Sequence, residues 1–335
     1  MKLAIHHRSG SFSDRWIEYC KNKNIEYIVV NAYDNDIIEQ VKDCDALMWH
    51  HHHADFKDVL TAKRILFALE HAGVKVFPDF NTGWHFDDKV AQKYLLEAID
   101  APLVPSFVFY DKQEAIQWAQ QTSFPKVWKL KGGAGAKNVK LANNLSEATK
   151  FINKAFGKGF SQFDRWGHFK ERYNMWRNGK DTFLGVIKGV GRLIIPTDFA
   201  KLQSRDKGYV YFQEFIPNNN SDTRVVVVGN RAAAEKRFVR KNDFRASGSG
   251  EYSYDNINLK SISLALEISK TLKLQSVAFD FVEDENLNPL IVEICYGFGT
   301  AGISKAPGYW DSELNWHEGK FNPQEWIVED LVNNI

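Results

Sequence analysis

The chain is poor in the features that mark several large classes of protein. Its 335 residues include only three cysteines, Cys20, Cys44 and Cys295, which are too few and too scattered for a disulfide framework or a zinc site. No apolar run approaches the roughly 18 residues of a transmembrane helix, and residues 1–7 do not begin a signal peptide. A net charge of +1 leaves no excess of positive charge with which to bind a polyanion such as nucleic acid. We therefore expect a cytoplasmic protein that binds neither nucleic acid nor membranes.

The first 85 residues alternate between short apolar runs and helical patterns. The runs are 3–6, 26–30, 46–49 and 74–77, and the helical patterns lie at 14–23, 36–42 and 56–71. Alternation of this kind predicts a small parallel α/β sheet. The length of the whole chain leaves room for one or two further domains.

Histidines and one arginine follow two of these predicted strands. His7 and Arg8 come after the first strand, and His50, His51 and His52 come after the third. Ligands of parallel sheets bind beyond the carboxyl ends of the strands, so these side chains are candidate substrate contacts. A solvent-exposed loop is the alternative. A metal site is disfavoured, because consecutive side chains of an extended segment point alternately to opposite sides.

A second, α+β unit is predicted around a glycine-rich hairpin. Helices are expected at 87–99, 114–121 and 146–156, a strand at 107–110, and the hairpin at 124–141. Lys129 and Lys131 lie at the root of the hairpin, and Gly132, Gly133 and Gly135 leave its tip almost bare. Unblocked backbone amides can approach phosphate oxygens, and the lysines add positive charge. A plain turn is the alternative.

Two carboxylates lie in otherwise apolar strands near the C-terminus. Strands are predicted at 209–216, 223–228, 231–239, 276–282 and 290–295, with a helix at 262–272. Asp280 and Glu293 belong to the last two strands, which form a hairpin. A buried carboxylate needs a cation or a donor beside it, and two on adjacent strands can share Mg²⁺. The alternative is a pair of acids that face solvent from a sheet edge.

Further polar residues accompany these strands. Residues 213–216 end a strand, where free backbone groups can read an adenine edge. Arginines recur downstream, and their guanidinium groups suit phosphate and carboxylate, although each is by itself compatible with a plain surface charge. These arginines are Arg224, Arg237, Arg240 and Arg245.

The order of these segments resembles the ATP-grasp superfamily over roughly residues 80–300, and glutathione synthetase and the ribosomal-protein glutamate ligases most of all. Asp88-Lys89 looks like the family's first lysine segment, and Pro125 to Leu130 with the following glycines looks like the second lysine and the phosphate-covering loop. Residues 213–216 look like the adenine hinge, and 222–225 and 243–247 resemble the neighbouring Asp-x-Arg and Phe-Arg segments. Asp280 and residues 293–295 resemble the metal-binding Asp and Glu-x-Asn.

The resemblance implies an ATP-grasp fold, combining α/β and α+β parts, with an N-terminal domain at 1–85, a lid subdomain at 86–157 and a C-terminal subdomain at 158–335. It implies that Arg245, with Arg237 and Arg240, acts on the transferred phosphoryl group. Asp280 and Glu293 would bind one or two Mg²⁺ ions, and Tyr296 and Gly297 would contact the acceptor. Lys129 is preferred to Lys131 for its spacing from Pro125. The implied ATP-binding residues are Lys89, Lys129, Lys131, Gly132, Gly133, Gly135, Gln213, Glu214, Phe215, Ile216, Asp222 and Arg224.

The implied reaction is an ATP-dependent ligation, in which a carboxylate becomes an acyl phosphate and an amine or ammonia attacks it. The substrates would be small carboxylates and amines, such as an amino acid, a peptide or a sugar acid, and a homodimer is left open. Cys295 stands where the family has a metal-binding Asn, and a thiol is a poor Mg²⁺ ligand. A non-catalytic nucleotide-binding module is therefore one alternative, and a kinase is another, because the same nucleotide site can phosphorylate a hydroxyl.

Overall fold

The computed structural model describes residues 1–133, 138–161, 173, 176, 182, 205–240, 243–246 and 250–333. The chain divides into two compact units: unit 1 comprises Met1–Phe86, Tyr94–Leu103 and Ile216–Ile335, and unit 2 comprises Asp87–Lys93 and Val104–Phe215. Among the described helices, none combines the length and apolar character needed to cross a membrane. The three-domain division of the sequence remains a prediction.

Unit 1 begins with the predicted parallel sheet. Its strands are β1 (Lys2–His6), β2 (Glu26–Val30), β3 (Ala46–Met48) and β4 (Lys75–Phe77), in the order β2-β1-β3-β4. All three pairings are parallel, as predicted. The intervening helices are α1 (Phe12–Lys23), α2 (Ile37–Gln40) and α3 (Phe56–His71), and α4 (Phe80–Gly83) follows β4.

Unit 2 is built on an antiparallel sheet. Helix α5 (Lys89–Ala98) starts in unit 2 and ends in unit 1. The sheet has the order β5-β8-β6-β7, and it packs on α6 and α7 through a core that includes Trp128 and Phe212. The predicted glycine hairpin is confirmed as the antiparallel β6–β7 pair. The bounds are β5 (Ser106–Phe109), α6 (Lys112–Gln121), β6 (Lys126–Lys129), β7 (Val139–Ala142), α7 (Leu145–Ala155) and β8 (Val210–Glu214).

The remainder of unit 1 forms a larger sheet of the order β13-β12-β9-β10-β14-β15, with β11 paired to β10. Its hairpin of β12 and β13 was predicted from the sequence, and the structure confirms it. The bounds are β9 (Ser221–Val228), β10 (Arg231–Phe238), β11 (Tyr252–Ser253), α8 (Leu259–Leu272), β12 (Ser276–Glu283), β13 (Pro289–Cys295), a 3₁₀ turn (Ile303–Lys305), β14 (Gly308–Trp310), β15 (Trp316–Glu318) and α9 (Pro323–Asn333).

The two faces of this larger sheet differ because side chains alternate along each strand. One face is apolar and packs with α8, through residues such as Val225 and Phe279. The opposite face is apolar at one end, where Val226 and Ala278 share a core with Leu3 and Trp16. Towards its other end this face carries carboxylates and guanidinium groups, which we call the charged face. Its members are Asp222, Arg224, Glu235, Arg237, Asp280 and Glu293.

Candidate functional site

The first turn of α5 holds the start of the glycine loop in unit 2. The Lys89 ammonium donates to the carbonyl oxygen of Gly133 at 3.1 Å, and the Lys89 amide donates to the carbonyl of Lys131 at 2.9 Å. In return the Asp87 carboxylate accepts from the Gly133 amide at 2.7 Å. Two segments 44 residues apart, both predicted to serve a phosphate chain, are thus in direct contact.

Two of the predicted loop glycines lie against neighbouring side chains. A Cβ on Gly132 would lie 2.9 Å from the Asp87 carboxylate, and a Cβ on Gly133 would lie 2.8 Å from the Asn138 side chain. Gly133 also has φ of +101°, which side-chain-bearing residues rarely adopt. The third predicted glycine, Gly135, lies outside the described residues.

The pairing of β6 with β8 brings Lys129 to Gln213. Val127 lies opposite Gln213 in this register, and the buried Lys129 ammonium donates to the Gln213 amide oxygen at 2.5 Å. Lys131 differs from Lys129: its side chain is 44% exposed and lies 3.8 Å from Asp206. The burial of Lys129 and the exposure of Lys131 are consistent with the preference for Lys129.

Lys126 is a neighbouring cation that the sequence reasoning missed. It is 1% exposed and donates to Glu214 at 2.9 Å, so the predicted hinge residue Glu214 is anchored by an ion pair. The Glu214 amide donates to the Pro105 carbonyl. Phe215 and Ile216 follow the end of β8, as expected for residues that offer backbone groups to a ligand.

The charged face of unit 1 contains a four-membered ion-pair network. Arg224 binds both oxygens of Asp280, at 2.8 and 2.9 Å, and Arg237 binds both oxygens of Asp222, at 2.7 and 2.6 Å. Arg237 also reaches Asp280 at 2.8 Å. Burial by itself raises the pKa of Asp280, but the two guanidinium charges outweigh it and hold that pKa well below the usual range.

Glu235 is a buried carboxylate of the same face that the sequence reasoning also missed. It is 2% exposed, and a Cβ on Gly302 would clash with its Oε2 atom. Burial raises the pKa of Glu235 to about 7, although Arg224 and Arg237 oppose the shift. In the sequence it follows three alanines of an apolar strand pattern, and only the structure shows that it lies directly opposite Arg224.

Asp280 and Glu293 lie opposite each other on β12 and β13, as their predicted role in metal binding requires. Asp280 is 16% exposed on an inner strand, which excludes the solvent-facing alternative for this residue. Within the described part of the chain, no group of three or more His, Cys, Asp and Glu side chains forms a metal site. Mg²⁺ nevertheless commonly takes one or two carboxylates and completes its shell with phosphate and water, so the pair fits this ion. Cys295, opposite Ala278, adds no hard ligand.

Arg245 is held by a carboxylate two residues before it. Its guanidinium donates to both oxygens of Asp243, at distances of 2.6 to 2.9 Å. Burial opposes the shift, but the hydrogen bonds and charge of Arg245 lower the pKa of Asp243. The Arg240 amide donates to the Arg245 carbonyl at 3.2 Å, so two of the predicted catalytic arginines are neighbours. Ser247 lies outside the described residues.

The carboxyl edge of the parallel sheet is organised by Asp58, which the sequence reasoning missed. Its carboxylate is 2% exposed and accepts from four donors: Arg8 at 3.2 Å, the Tyr33 hydroxyl at 2.7 Å, the Trp49 indole at 3.1 Å and the His52 amide at 2.7 Å. The sequence signal is the helical period of α3, since Asp58 shares its buried face with Ala62 and Leu66. Arg8 and His52 therefore meet at one carboxylate, as their predicted shared role requires.

The remaining predicted substrate residues surround this edge. His50 stacks on Phe12 at 3.8 Å between ring centroids, and its Nδ1 accepts from the Phe12 amide. Tyr296 donates from its hydroxyl to the His51 carbonyl at 3.0 Å. A Cβ on Gly297 would lie 2.9 Å from the Phe86 ring, so a larger residue there would force the ring to shift. His7 is more peripheral and contacts Ser13 at 3.0 Å.

Comparisons with known families and proteins agree with this geometry. The model of the RimK-like ATP-grasp domain matches residues 197–310, and that of the carbamoyl-phosphate synthase L chain ATP-binding domain matches residues 88–178. The alpha-aminoadipate–LysW ligase LysX of Saccharolobus solfataricus is 22% identical over 230 residues, which are 68% of each chain.

Solved structures give the same fold. A RimK domain ATP-grasp protein of Sphaerobacter thermophilus has a TM-score of 0.55 at 17% identity, covering 88% of this chain and 90% of its own. D-cycloserine synthetase DcsG has a TM-score of 0.60 at 13% identity, covering 100% and 99%. A peptide-bound ligase of Chryseobacterium gregarium has a TM-score of 0.60 at 12% identity, covering 100% and 97%. The chain thus has the ATP-grasp fold, and it resembles the carboxylate–amine ligases of that superfamily.

Proposed function

We propose that this protein is an ATP- and Mg²⁺-dependent ligase that activates a carboxylate as an acyl phosphate for attack by an amine or ammonia. The observation that carries the proposal is the contact between Lys89 and Gly133, since it joins a predicted phosphate-binding lysine to the glycine loop. The resemblance of the chain to LysX and to other ATP-grasp ligases supports the same reaction class.

Unit 2 supplies most of the nucleotide-binding residues in this proposal, and Ile216 belongs to unit 1. Lys89 and Lys129 neutralise phosphate oxygens, and the amides of Gly132 and Gly133 donate to them. The backbone after β8, at Phe215 and Ile216, reads the adenine edge. Lys131 and Gly135 belong to the same loop and contribute to phosphate binding to a smaller extent.

Unit 1 supplies the acidic and basic residues that act on the transferred phosphoryl group. Asp280 and Glu293 hold Mg²⁺, which when bound offsets the negative charge of the phosphates. Arg245, assisted by Arg237 and Arg240, holds the phosphoryl group while it moves to the carboxylate. Arg224 holds the side chain of Asp280 in position, and Asp222 holds that of Arg237, through the ion pairs of the charged face.

The substrate residues His7, Arg8, His50, His51, His52, Tyr296 and Gly297 belong to unit 1 as well. We propose that they bind the carboxylate substrate and the acceptor amine. An amino acid, a peptide or another small carboxylic acid fits this chemistry, and LysX, by its name, acts on alpha-aminoadipate.

The proposal is tested by measuring ADP and phosphate release with a panel of carboxylates and amines. Release that requires both substrates supports ligation, whereas a stable phosphorylated alcohol indicates a kinase. Lys129→Met should raise the KM for ATP at least about tenfold, because a buried cation is lost, while the exposed Lys131→Met should change it less than about threefold. Equal effects of the two variants would contradict the assignment of Lys129.

A non-catalytic nucleotide-binding module is the second candidate, and the charged face favours it. Both oxygens of Asp280 accept from arginines, and Cys295 offers no hard ligand. This candidate predicts ATP binding without turnover in every substrate mixture. It also predicts that Glu293→Gln leaves ATP affinity unchanged in the presence of Mg²⁺.

A further inference from the structure

Arg8 is paired with Asp58, yet much of its guanidinium group remains accessible to a ligand. Its side chain is 33% exposed, and contacts within the described part of the chain use two of its five N–H donors, one for Asp58 and one for the His50 carbonyl at 3.4 Å. Both contacts lie at the carboxyl edge of the parallel sheet. They fix the direction of the guanidinium group while leaving donors for a ligand.

His50, whose carbonyl Arg8 contacts, carries a second candidate donor on its ring. Its Nδ1 accepts from the Phe12 amide at 3.3 Å, so the proton of the neutral ring is on Nε2. The ring is stacked on Phe12, and Nε2 lies 3.8 Å from the place of a Cβ on Gly297. Burial, and then the charge of Arg8, lowers the pKa of His50 to about 3, so this nitrogen remains a donor at neutral pH.

We propose that Arg8 and the Nε2–H group of His50 form a preformed subsite for a substrate carboxylate, and that Asp58 is the positioning residue that holds Arg8 in place. This inference rests on the proposed function for the identity of the substrate, but its geometry lies wholly within unit 1. Tyr33 and Trp49 complete the shell of Asp58 and so hold the carboxylate that orients Arg8.

The charge of the subsite favours a carboxylate over a phosphate. Arg8 brings one positive charge, which the buried Asp58 partly compensates. His50, and His6 and His52 nearby, have pKa values lowered chiefly by burial and add no charge at neutral pH. One guanidinium fork and one neutral donor match the two oxygens and the single charge of one carboxylate group, whereas one phosphate group concentrates nearly two charges and needs more positive charge beside it.

The subsite can be tested without turnover, by NMR of the full-length protein carrying ¹⁵N-labelled histidine. Glutarate is the probe, the neutral glutaramide is its control, and inorganic phosphate is the competing anion. We expect glutarate to shift the His50 Nε2–H resonance, glutaramide to leave it unmoved, and phosphate to bind more weakly than glutarate.

Variants then separate binding from positioning. Arg8→Gln should weaken glutarate binding at least tenfold, and Arg8→Lys should restore part of the affinity. Asp58→Asn, which retains the shape of the side chain, should weaken binding about fivefold, and the double variant should be no weaker than Arg8→Gln alone. Arg64→Gln, which removes an exposed charge from the same helix as Asp58, should change affinity less than twofold.

Specific outcomes overturn the inference. It fails if glutarate leaves His50 unshifted in protein that still binds ATP, if phosphate binds more tightly, or if Arg8→Gln keeps affinity within twofold. A merely structural Asp58 would lower the melting temperature of Asp58→Asn without weakening glutarate binding. If glutarate binds as expected but no carboxylate stimulates ADP release, the subsite stands and the proposed ligase activity fails.

Discussion

Asp58, which is buried, and Asp280, which is partly buried, are carboxylates of unit 1 that hold arginines in different ways. Asp58 binds one arginine and three neutral donors at the carboxyl edge of the parallel sheet. Asp280 binds two arginines on the charged face of the antiparallel sheet. The arginine at Asp58 is one third exposed, whereas the side chain of Arg237 is 6% exposed.

The difference shows how one residue type can serve two purposes. A carboxylate that is hydrogen-bonded mostly by neutral groups can orient a single cation without saturating it. A carboxylate between two guanidinium groups instead compensates their charges in a place that water scarcely reaches. Under the proposed function, substrate binds at the first region, and Asp280 in the second region would exchange part of its pairing with arginine for Mg²⁺.

The largest effect is expected from Asp280→Ala. Its loss leaves Arg224 and the buried Arg237 undercompensated, which should lower the free energy of unfolding by about 3–5 kcal/mol. Urea denaturation at pH 7 measures the change. Glu285→Gln, in the exposed turn between β12 and β13, is the control and should remain within about 0.5 kcal/mol. A loss below about 1 kcal/mol for Asp280→Ala would show that the network does not depend on this carboxylate.

Glu235→Gln should stabilise the protein, and the effect should depend on pH. The pKa of Glu235 is raised to about 7 in the folded state, so its contribution to stability is complete below its unfolded pKa of about 4.3 and declines as pH rises towards 7. The Glu235→Gln variant does not lose stability in this way, because the glutamine side chain does not titrate. Its advantage should therefore grow from near zero at pH 4 to about 3 kcal/mol above pH 7.

The measurement is urea denaturation of both proteins between pH 4 and 9. Glu267→Gln, on the exposed side of α8, provides the matched control and should show no such trend. A constant difference between wild type and Glu235→Gln at every pH would mean that Glu235 titrates at an ordinary pKa.

Asp58→Ala should cost less than Asp280→Ala, about 2–3 kcal/mol, because it leaves one partly exposed cation and three neutral donors to find other partners. Thermal and urea denaturation of the two variants side by side test the comparison directly. If Asp58→Ala proves the more damaging, the hydrogen bonds of the parallel-sheet edge outweigh the ion pairs of the charged face.

Gly297→Ala should have the smallest effect, a loss of about 1–2 kcal/mol, because its Cβ would press on the Phe86 ring. Gly299→Ala is a close control, since the space around Gly299 is open and its backbone has no positive φ. Melting temperatures of the two variants give the readout. Equal melting temperatures would show that Phe86 can move aside.

The sequence predicted those elements that local patterns determine. The parallel sheet, the glycine hairpin and the β12–β13 pair all follow from periodicity and turns, and the structure confirms them. The ATP-grasp fold followed from the order of several loose motifs, and the comparisons confirm it.

Long-range side-chain partners were not predictable in the same way. The contact of Lys129 with Gln213 depends on the pairing of β6 with β8, across 84 positions of the chain. Asp58 and Glu235 were missed because each looks like an ordinary surface acid until the facing elements are known. The only indication that they are buried was that each lies among residues that face a core, on α3 for Asp58 and on β10 for Glu235.

The central claim, that a carboxylate is activated by phosphorylation, is tested most directly by isotope transfer. The protein is incubated with ATP, Mg²⁺ and carboxylates labelled with ¹⁸O in the carboxyl group, including glutamate and alpha-aminoadipate, with hydroxylamine as the nucleophile. An acyl phosphate releases one carboxyl oxygen with the phosphate when the nucleophile attacks. We therefore predict ¹⁸O-labelled phosphate together with a hydroxamate, and release of unlabelled phosphate with every carboxylate that supports turnover would contradict the account.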